Sequence, residues 1–146
     1  MATRLVKDLL TRRTVVSAGP RMTVSEAARL MAEERIGALP VIENGRLVGI
    51  FSERDALFRV VARDLDPDTT RLAEVMTPDP VTINAKRPLR HAMRLMYDGH
   101  FRHVPVVEDG TVIGIVSVRD ALGFELADPA ATPRHSIAVL TRAGRG

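Results

Sequence analysis

The feature that most constrains this chain is an internal duplication. When the sequence is shifted by 65 residues, positions 23–57 align with positions 88–122 without a gap, and 15 of the 35 pairs are identical. The longest identical runs are Arg29-Leu30-Met31 with Arg94-Leu95-Met96 and Arg54-Asp55-Ala56-Leu57 with Arg119-Asp120-Ala121-Leu122. Chance would match only a few positions in such a window. The chain is therefore expected to fold as two copies of one unit.

Upstream of the aligned block, the register is predicted to slip by one residue. Val15 is better matched to Val81 than to the residues next to Val81. This pairing leaves one extra residue in the first unit between Ser17 and Met22. On this register Val16 becomes the counterpart of Thr82.

Hydrophobic periodicity predicts the element order β-α-β-β-α in each unit. A short β-rich piece, residues 15–17 or 81–83, leads into the first helix, which in the first unit starts at a capping box formed by Thr23 and Glu26. One face of this helix is expected to be buried, namely Val24, Ala27, Ala28 and Met31.

Two turn dipeptides predict the hairpins that follow. Asn44-Gly45 lies between the strands 39–43 and 46–51, and Asp109-Gly110 lies between the strands 104–108 and 111–116. A second helix follows from Ser52 and from Ser117. The predicted fold class is therefore α/β of the α+β kind. The predicted domain bounds are 1–63 for the first unit, 64–71 for a linker rich in Asp, Pro and Thr, 72–124 for the second unit and 125–146 for a tail.

Composition excludes several function classes. The sequence has no cysteine, so disulfides, thiolate zinc sites and cysteine nucleophiles are absent. Aromatic residues make up 3% and the net charge is only +3, which gives little material for stacking or binding nucleic acid. No apolar run approaches the length of a membrane span. We expect a cytoplasmic protein without a nucleic-acid or membrane partner.

The segment with the clearest chemistry closes each hairpin. Gly49-Ile50-Phe51-Ser52-Glu53-Arg54-Asp55 is repeated as Gly114-Ile115-Val116-Ser117-Val118-Arg119-Asp120, and in both copies a strand ends where a helix begins. A helix start presents unpaired N–H groups to an anion. The Ser hydroxyl and the Arg suit a phosphate, and the Asp suits two vicinal ribose hydroxyls.

The same residues have a purely structural interpretation. S-x-x-D is also a capping box, with Ser as the N-cap and Asp at the third helical position. Duplication copies a cap as readily as a binding site, and the two roles are compatible. The residues alone therefore leave both interpretations open.

Taken together, the motifs resemble those of CBS domains, named after cystathionine β-synthase and found in pairs. The marks are Val75-Met76-Thr77 before Pro80-Val81-Thr82, the strands with Pro40-Val41 and Pro105-Val106, and the two G-x-x-S-x-x-D endings. The resemblance covers about residues 6 to 123. Phe101-Arg102-His103-Val104-Pro105 is similar to stand-alone bacterial members.

The resemblance implies two repeats packed about a pseudo-twofold axis, with two clefts for adenosyl ligands such as AMP, ATP, S-adenosylmethionine or an NAD-type dinucleotide. Carried onto this chain, the first cleft would be lined by Ser52, Arg54, Asp55, Val81, Thr82, Arg102, His103 and Val104. The second would be lined by Ser117, Arg119, Asp120, Val15, Val16, Ala38 and Leu39.

The two clefts are expected to be unequal. Thr82 brings a hydroxyl that Val16 lacks, and Arg102 and His103 stand where the first repeat has small apolar residues. The cleft of Asp55 and His103 is therefore predicted to hold the larger ligand.

The predicted function is that of a regulatory sensor, in which AMP, ATP or NADH shifts the conformation read by an unidentified protein partner. A homodimer through amphipathic helices is expected, with no catalytic cofactor. Two alternatives stay open: a ligand-free dimerisation scaffold and a nucleotide-processing enzyme. The chain is not expected to be an enzyme, because no nucleophile is paired with a base. His100 and His103 are not expected to bind a metal ion, because no carboxylate or thiol is suitably spaced.

Overall fold

A computed structural model describes residues 3–10 and 15–127. The helices are a 3-10 helix at Val6–Leu9, α1 (Val24–Glu34), α2 (Glu53–Asp55) continued by a π-helix at Ala56–Val61, α3 (Leu72–Val75), α4 (Leu89–Gly99) and α5 (Val118–Leu126). The strands are β1 (Ala38–Glu43), β2 (Arg46–Ser52), β3 (Thr77–Pro78), β4 (Ile83–Asn84), β5 (His103–Glu108) and β6 (Thr111–Ser117). None of the helices in these two ranges has the length and apolar character to cross a membrane. The tail predicted to follow the second unit lies, from residue 128 onward, outside the described residues.

Two three-stranded sheets form the fold, in the orders β1-β2-β3 and β4-β5-β6, which confirms the predicted α+β class. The hairpins pair Leu39 with Phe51 and Val104 with Val116. Both turns place two successive residues in the left-handed region, with φ of 52° and 77° in the first turn and 52° and 79° in the second. This is the geometry that Asn-Gly and Asp-Gly favour in tight hairpins. Strand β6 contacts β1 and β2, so the two sheets meet.

The predicted register slip before residue 23 is wrong. Ala18 pairs with Val41 in parallel, and Ile83 pairs with Val106 in the same way, so the spacing of 65 residues extends back to residue 18. Matching the valines misled the prediction, because buried Ala18 occupies the place of the larger Ile83. Val81 therefore corresponds to Val16, and Thr82 corresponds to Ser17, so both copies carry a hydroxyl here.

Two smaller predictions are also wrong. The strand expected at residues 81–83 starts only at Ile83, because Pro80 has no N–H to donate and the preceding Asp79 has a φ of 47°. In the first unit, residues 15–17 form no strand. Ala28 of α1 is exposed, whereas the other three residues of the predicted stripe face the core.

The hydrophobic core of each unit includes residues from the segment that leads into the other unit. Val6, near the N-terminus, is fully buried in the core of the second unit, and its N–H donates to Arg87 O at 2.8 Å. Leu72 and Val75 of α3 are buried in the core of the first unit. The cores therefore cross the predicted domain bounds, because each leading segment packs on the other repeat.

The first glycine of each G-x-x-S-x-x-D motif allows these leading segments to pack closely. A Cβ on Gly114 would lie 2.7 Å from Leu10 Cδ2, and a Cβ on Gly49 would overlap the side chain of Met76. Leu10 and Met76 both belong to leading segments. The absence of a side chain at these two positions therefore allows close packing of the chain on itself, and it needs no ligand to explain it.

Candidate functional site

The Ser-x-x-Asp motif of the first repeat forms the capping box that the sequence allowed. Ser52 ends β2, and its Oγ accepts a hydrogen bond from Asp55 N at 3.2 Å. Asp55 Oδ2 in turn accepts from Ser52 N at 2.9 Å and from Ser52 Oγ at 3.1 Å. The capping interpretation is thereby confirmed for this copy.

The second repeat starts its helix in the same way. Asp120 N donates to Ser117 Oγ at 3.0 Å, and Ser117 is the N-cap of α5. Both side chains are half-buried, so solvent still reaches them. A cap of this kind holds the carboxylate beside the first N–H groups of the helix, where an anionic or hydroxyl-rich ligand can also be bound.

Arg59 adds a partner for Asp55 that the sequence analysis missed. Arg59 Nε lies 3.5 Å from Asp55 Oδ1, and the Asp55 side chain is only 12% exposed. Arg59 Nη1 also donates to Val75 O at 3.3 Å and to Met76 O at 3.0 Å. The spacing of four residues between Asp55 and Arg59 was a detectable signal, because such pairs face each other on a helix.

His103 lies where the two repeats meet. It is paired with Ser117 across β5 and β6, and its side chain reaches the first repeat just before β1. A Cβ on Gly37 would lie 3.1 Å from His103 Nε2 and 3.2 Å from Glu53 Oε1. Gly37 and Glu53 were not among the predicted site residues. A side chain at position 37 would press against these two groups, and the sequence alone does not reveal this close approach.

His103 lies between the motifs of the two repeats. The strand register puts His103 beside Ser117, whereas Glu53, which belongs to the motif of Asp55, influences its imidazole more than Asp120 does. The grouping of His103 with Asp55, and with it the larger ligand expected in that cleft, therefore stays a prediction.

Burial is the main influence on the charge of His103. It lowers the pKa of the imidazole from its usual 6.5, and the nearby Arg102 lowers it further, while Glu53 and Asp120 act in the opposite direction. The neutral imidazole is therefore favoured in the folded protein at neutral pH.

The shifted pKa of His103 predicts a loss of stability in mild acid. The unfolded chain binds the proton more readily than the folded chain, so the stabilisation is complete above the unfolded pKa of 6.5 and is lost as the pH falls below it. Urea unfolding from about pH 8 to about pH 5 should show a decline of at most about 1.4 kcal/mol per pH unit from this group. His103→Asn should reduce the decline, and an unchanged pH profile in that variant would contradict the assignment.

The remaining predicted residues divide by exposure. Arg54, Val81, Thr82, Arg102 and Arg119 are exposed, and Val15 and Val16 are half-buried, so their side chains are accessible to a ligand. The side chains of Leu39 and Val104 are fully buried in the two cores, and Ala38 is also buried. A ligand can therefore meet these three residues mainly through their backbone.

Arg54 of the first repeat contacts the second repeat at His100. Arg54 Nη1 donates to His100 O at 3.4 Å, across the two repeats. His100 ends α4 in the left-handed conformation, with a φ of 58°.

Within the described ranges, no three His, Asp or Glu side chains gather into a group that could hold a metal ion.

Comparison with known proteins gives a consistent result. The family model of the CBS domain matches residues 6–62 and again residues 72–126. The CBS domain-containing protein YhcV of Bacillus subtilis is 34% identical over 126 residues, which are 86% of this chain and 89% of that protein. Several other relatives are longer, and the chain spans between 14% and 59% of their length.

Solved structures share the fold over most of the chain. The CBS domain protein PAE2072 of Pyrobaculum aerophilum, complexed with AMP, is 31% identical with a TM-score of 0.72, and the match covers 80% of this chain and 88% of that one. The CBS domain pair of protein MJ0100, in complex with 5′-methylthioadenosine and S-adenosyl-L-methionine, is 28% identical with a TM-score of 0.76, covering 85% and 97%. The two tandem repeats inferred from the duplication are therefore shown by sequence and by structure.

Proposed function

This chain belongs to the CBS domain family, and on that premise we propose that it is a regulatory module that binds an adenosine-containing ligand between its repeats. The observation that carries the proposal is the position of His103. His103 is paired with Ser117 in its own repeat, and its imidazole lies close to Gly37 in the other repeat. A ligand bound at the start of α5 would therefore contact both repeats at once.

The residues at this junction suit the parts of a nucleotide. We assign the ribose hydroxyls to the Asp120 carboxylate, and a phosphate to the Ser117 hydroxyl together with Arg119 and Arg102. The adenine would lie against Val15, Val16 and the backbone of Ala38 and Leu39. The first repeat offers a parallel set in the opposite cleft, namely Ser52, Arg54 and Asp55 with Val81, Thr82 and Val104.

The nature of the ligand is supported by the structural neighbours. PAE2072 was solved with AMP, and MJ0100 with 5′-methylthioadenosine and S-adenosyl-L-methionine. All three molecules contain adenosine, whereas their other ends differ in charge. Adenosine is therefore the part that we propose for recognition, with AMP, ATP, NADH and S-adenosylmethionine as candidates.

We propose that ligand binding changes the orientation of the two repeats relative to each other. A ligand that bridges two repeats favours the arrangement in which both sides of the cleft touch it. Apolar side chains are exposed at equivalent positions after the two motifs, with Leu57 54%, Val61 65%, Leu122 45% and Leu126 67% accessible. Such paired apolar positions suit a homodimer, through which a partner protein could read the change.

Ligand titration of the apo protein tests the proposal. At a ligand concentration of about 100 times Kd, binding adds about 2.7 kcal/mol to the free energy of unfolding, which raises Tm by several degrees. AMP, ATP, NADH and S-adenosylmethionine should be compared by thermal melting and calorimetry, with GMP as a control that differs from AMP only in the base. If none of the four produces heat or a shift in Tm, the proposal fails in favour of a scaffold. Turnover of ATP would instead support an enzyme.

A further inference from the structure

We infer that His103 couples ligand binding to proton uptake: an adenosine ligand that carries phosphate binds at the junction of the two repeats together with a proton, which the imidazole takes from solvent. This inference rests on the proposed function and adds a regulation of the same site. It predicts that mild acid strengthens the binding of AMP to this chain relative to a variant that lacks the imidazole.

The imidazole of His103 and the carboxylate of Glu53 approach each other across the junction. A Cβ on Gly37 would lie 3.1 Å from His103 Nε2 and 3.2 Å from Glu53 Oε1, so both groups border the same point of the first repeat. Glu53 N donates to Gly37 O at 2.9 Å, which holds the start of α2 beside this point. A proton on His103, which belongs to the second repeat, is therefore placed next to a charge of the first.

This titratable pair occurs once in the chain. When the sequence is shifted by 65 residues, Ala38 takes the place of His103, and Val118 takes the place of Glu53. Neither of these apolar side chains can bind or release a proton. The coupling is therefore expected to involve no more than a single proton per chain.

The ring nitrogens of His103 are available to a ligand. Within residues 3–10 and 15–127, the imidazole forms no hydrogen bond and no ion pair. No fully buried side-chain nitrogen or oxygen in these ranges lacks a hydrogen-bond partner, so solvent reaches both ring nitrogens. A protonated imidazole has two N–H donors. It can therefore donate to a phosphate oxygen without breaking a contact within the protein.

The charged groups around His103 oppose one another. Burial lowers the pKa of the imidazole, Glu53 and Asp120 raise it, and Arg102 lowers it. Arg54 is a further cation at the junction, where it donates to the second repeat. Burial and Arg102 outweigh the two carboxylates, because the net change is a lowered pKa. Additional negative charge at this place would therefore favour the protonated form.

A bound phosphate supplies that negative charge. His103 and Ser117 are directly paired across β5 and β6, and Cβ atoms of such pairs lie about 4.5–5.5 Å apart. A phosphate held by Ser117 and Arg102, as assigned above, would therefore lie within reach of the imidazole and offset the charge of the arginine. Both effects raise the pKa of His103, and the imidazolium can donate a charge-assisted hydrogen bond to the phosphate.

The coupling acts in both directions. If the ligand favours the proton on His103, the proton favours the ligand by the same factor. A rise of about one in the pKa on binding corresponds to about tenfold tighter binding at a pH below both pKa values. Saturating AMP should accordingly reduce the acid-induced loss of stability that the free protein shows.

Calorimetry of AMP binding in two buffers tests the inference. At about pH 7, PIPES and Tris differ in their enthalpy of ionisation, so the difference in measured heat gives the number of protons taken up. The wild type should take up more protons per AMP than His103→Asn, which keeps an N–H donor but does not titrate. Between about pH 8 and about pH 5.5, the ratio of wild-type to variant affinity should rise about threefold to tenfold. The comparison with the variant is required because the AMP phosphate has its own second pKa of about 6.

Two controls isolate the imidazole and the phosphate. His100 is exposed and ends α4 in the left-handed conformation, which asparagine tolerates, so His100→Asn should take up as many protons as the wild type. A loss of uptake in this control would assign the proton to His100 and contradict the inference. 5′-Methylthioadenosine lacks a phosphate, so its binding should release or take up equal numbers of protons in the wild type and in His103→Asn.

The outcomes separate this inference from the proposed function. Equal proton uptake by the wild type and His103→Asn, an affinity ratio that does not change with pH, or the same excess uptake with 5′-methylthioadenosine overturns the inference while the proposed function stands. If circular dichroism shows that His103→Asn is unfolded, His103→Gln replaces it in every comparison. If neither AMP nor 5′-methylthioadenosine binds to the wild type, the proposed function is overturned and the inference with it.

Discussion

Asp120→Asn is expected to weaken AMP binding by about tenfold to a hundredfold and to remove most of the ligand-induced rise in Tm. A hydrogen bond to a charged group contributes about 1.5–3 kcal/mol, and about 1.4 kcal/mol corresponds to a factor of ten in Kd. The asparagine amide keeps one acceptor oxygen but turns an N–H₂ group toward the ribose. Calorimetric titration of the variant with AMP gives the change in Kd directly.

A matched control separates ligand binding from helix capping. Glu26 occupies the same third helical position at the start of α1, where Thr23 Oγ1 accepts from Glu26 N at 3.2 Å and donates to Glu26 Oε1 at 3.0 Å. Glu26→Gln should lower the stability of the free protein by no more than about 1 kcal/mol and leave the AMP-induced shift unchanged. If Asp120→Asn also leaves that shift unchanged, Asp120 is only a cap and the scaffold alternative gains.

Leu72→Ala is expected to destabilise the protein by about 2–5 kcal/mol, the usual cost of truncating a fully buried leucine. Leu72 is 0% exposed and packs in the core of the first repeat, although it follows the linker in the chain. Loss of this side chain leaves a cavity that the core can fill only in part. Urea unfolding, followed by circular dichroism, measures the change in the free energy of unfolding.

Leu65→Ala is the matched control for Leu72→Ala. Leu65 is a leucine within the linker itself and is 39% exposed, so its truncation should cost about 1 kcal/mol or less. Equal costs at the two positions would show that α3 does not complete the first core. A large cost at Leu72 alone would mean that the first repeat depends on residues beyond the linker for its stability.

Local patterns were sufficient for most of the fold. The hairpins follow from Asn44-Gly45 and Asp109-Gly110, because these dipeptides adopt left-handed dihedrals that a tight turn requires. The helix starts at Ser52 and Ser117 were correctly placed for a similar reason, since a cap involves residues only three positions apart. These predictions succeeded because the interactions behind them are short in sequence.

The residues that join distant parts of the chain were harder to predict. The equivalence of Ala18 and Ile83 depends on their strand partners, and matching valines gave the wrong register. Gly37 belongs to no motif in the sequence, yet a Cβ at this position would lie 3.1 Å from His103 Nε2. Contacts of this kind depend on how the two repeats dock, so no periodicity or spacing within one repeat contains them.

The sequence by itself determined the duplication, the two hairpins and the two helix starts that carry Ser and Asp. Only the tertiary structure decided which segments fill each core, where His103 lies and what Asp55 contacts. The physical reason is that patterns along a chain record local hydrogen bonding and burial, whereas ion pairs, pKa shifts and close approaches depend on packing between segments. Two copies with the same motif therefore acquire different environments: Arg59 lies beside the Asp55 carboxylate, whereas the equivalent residue of the second repeat is Phe124.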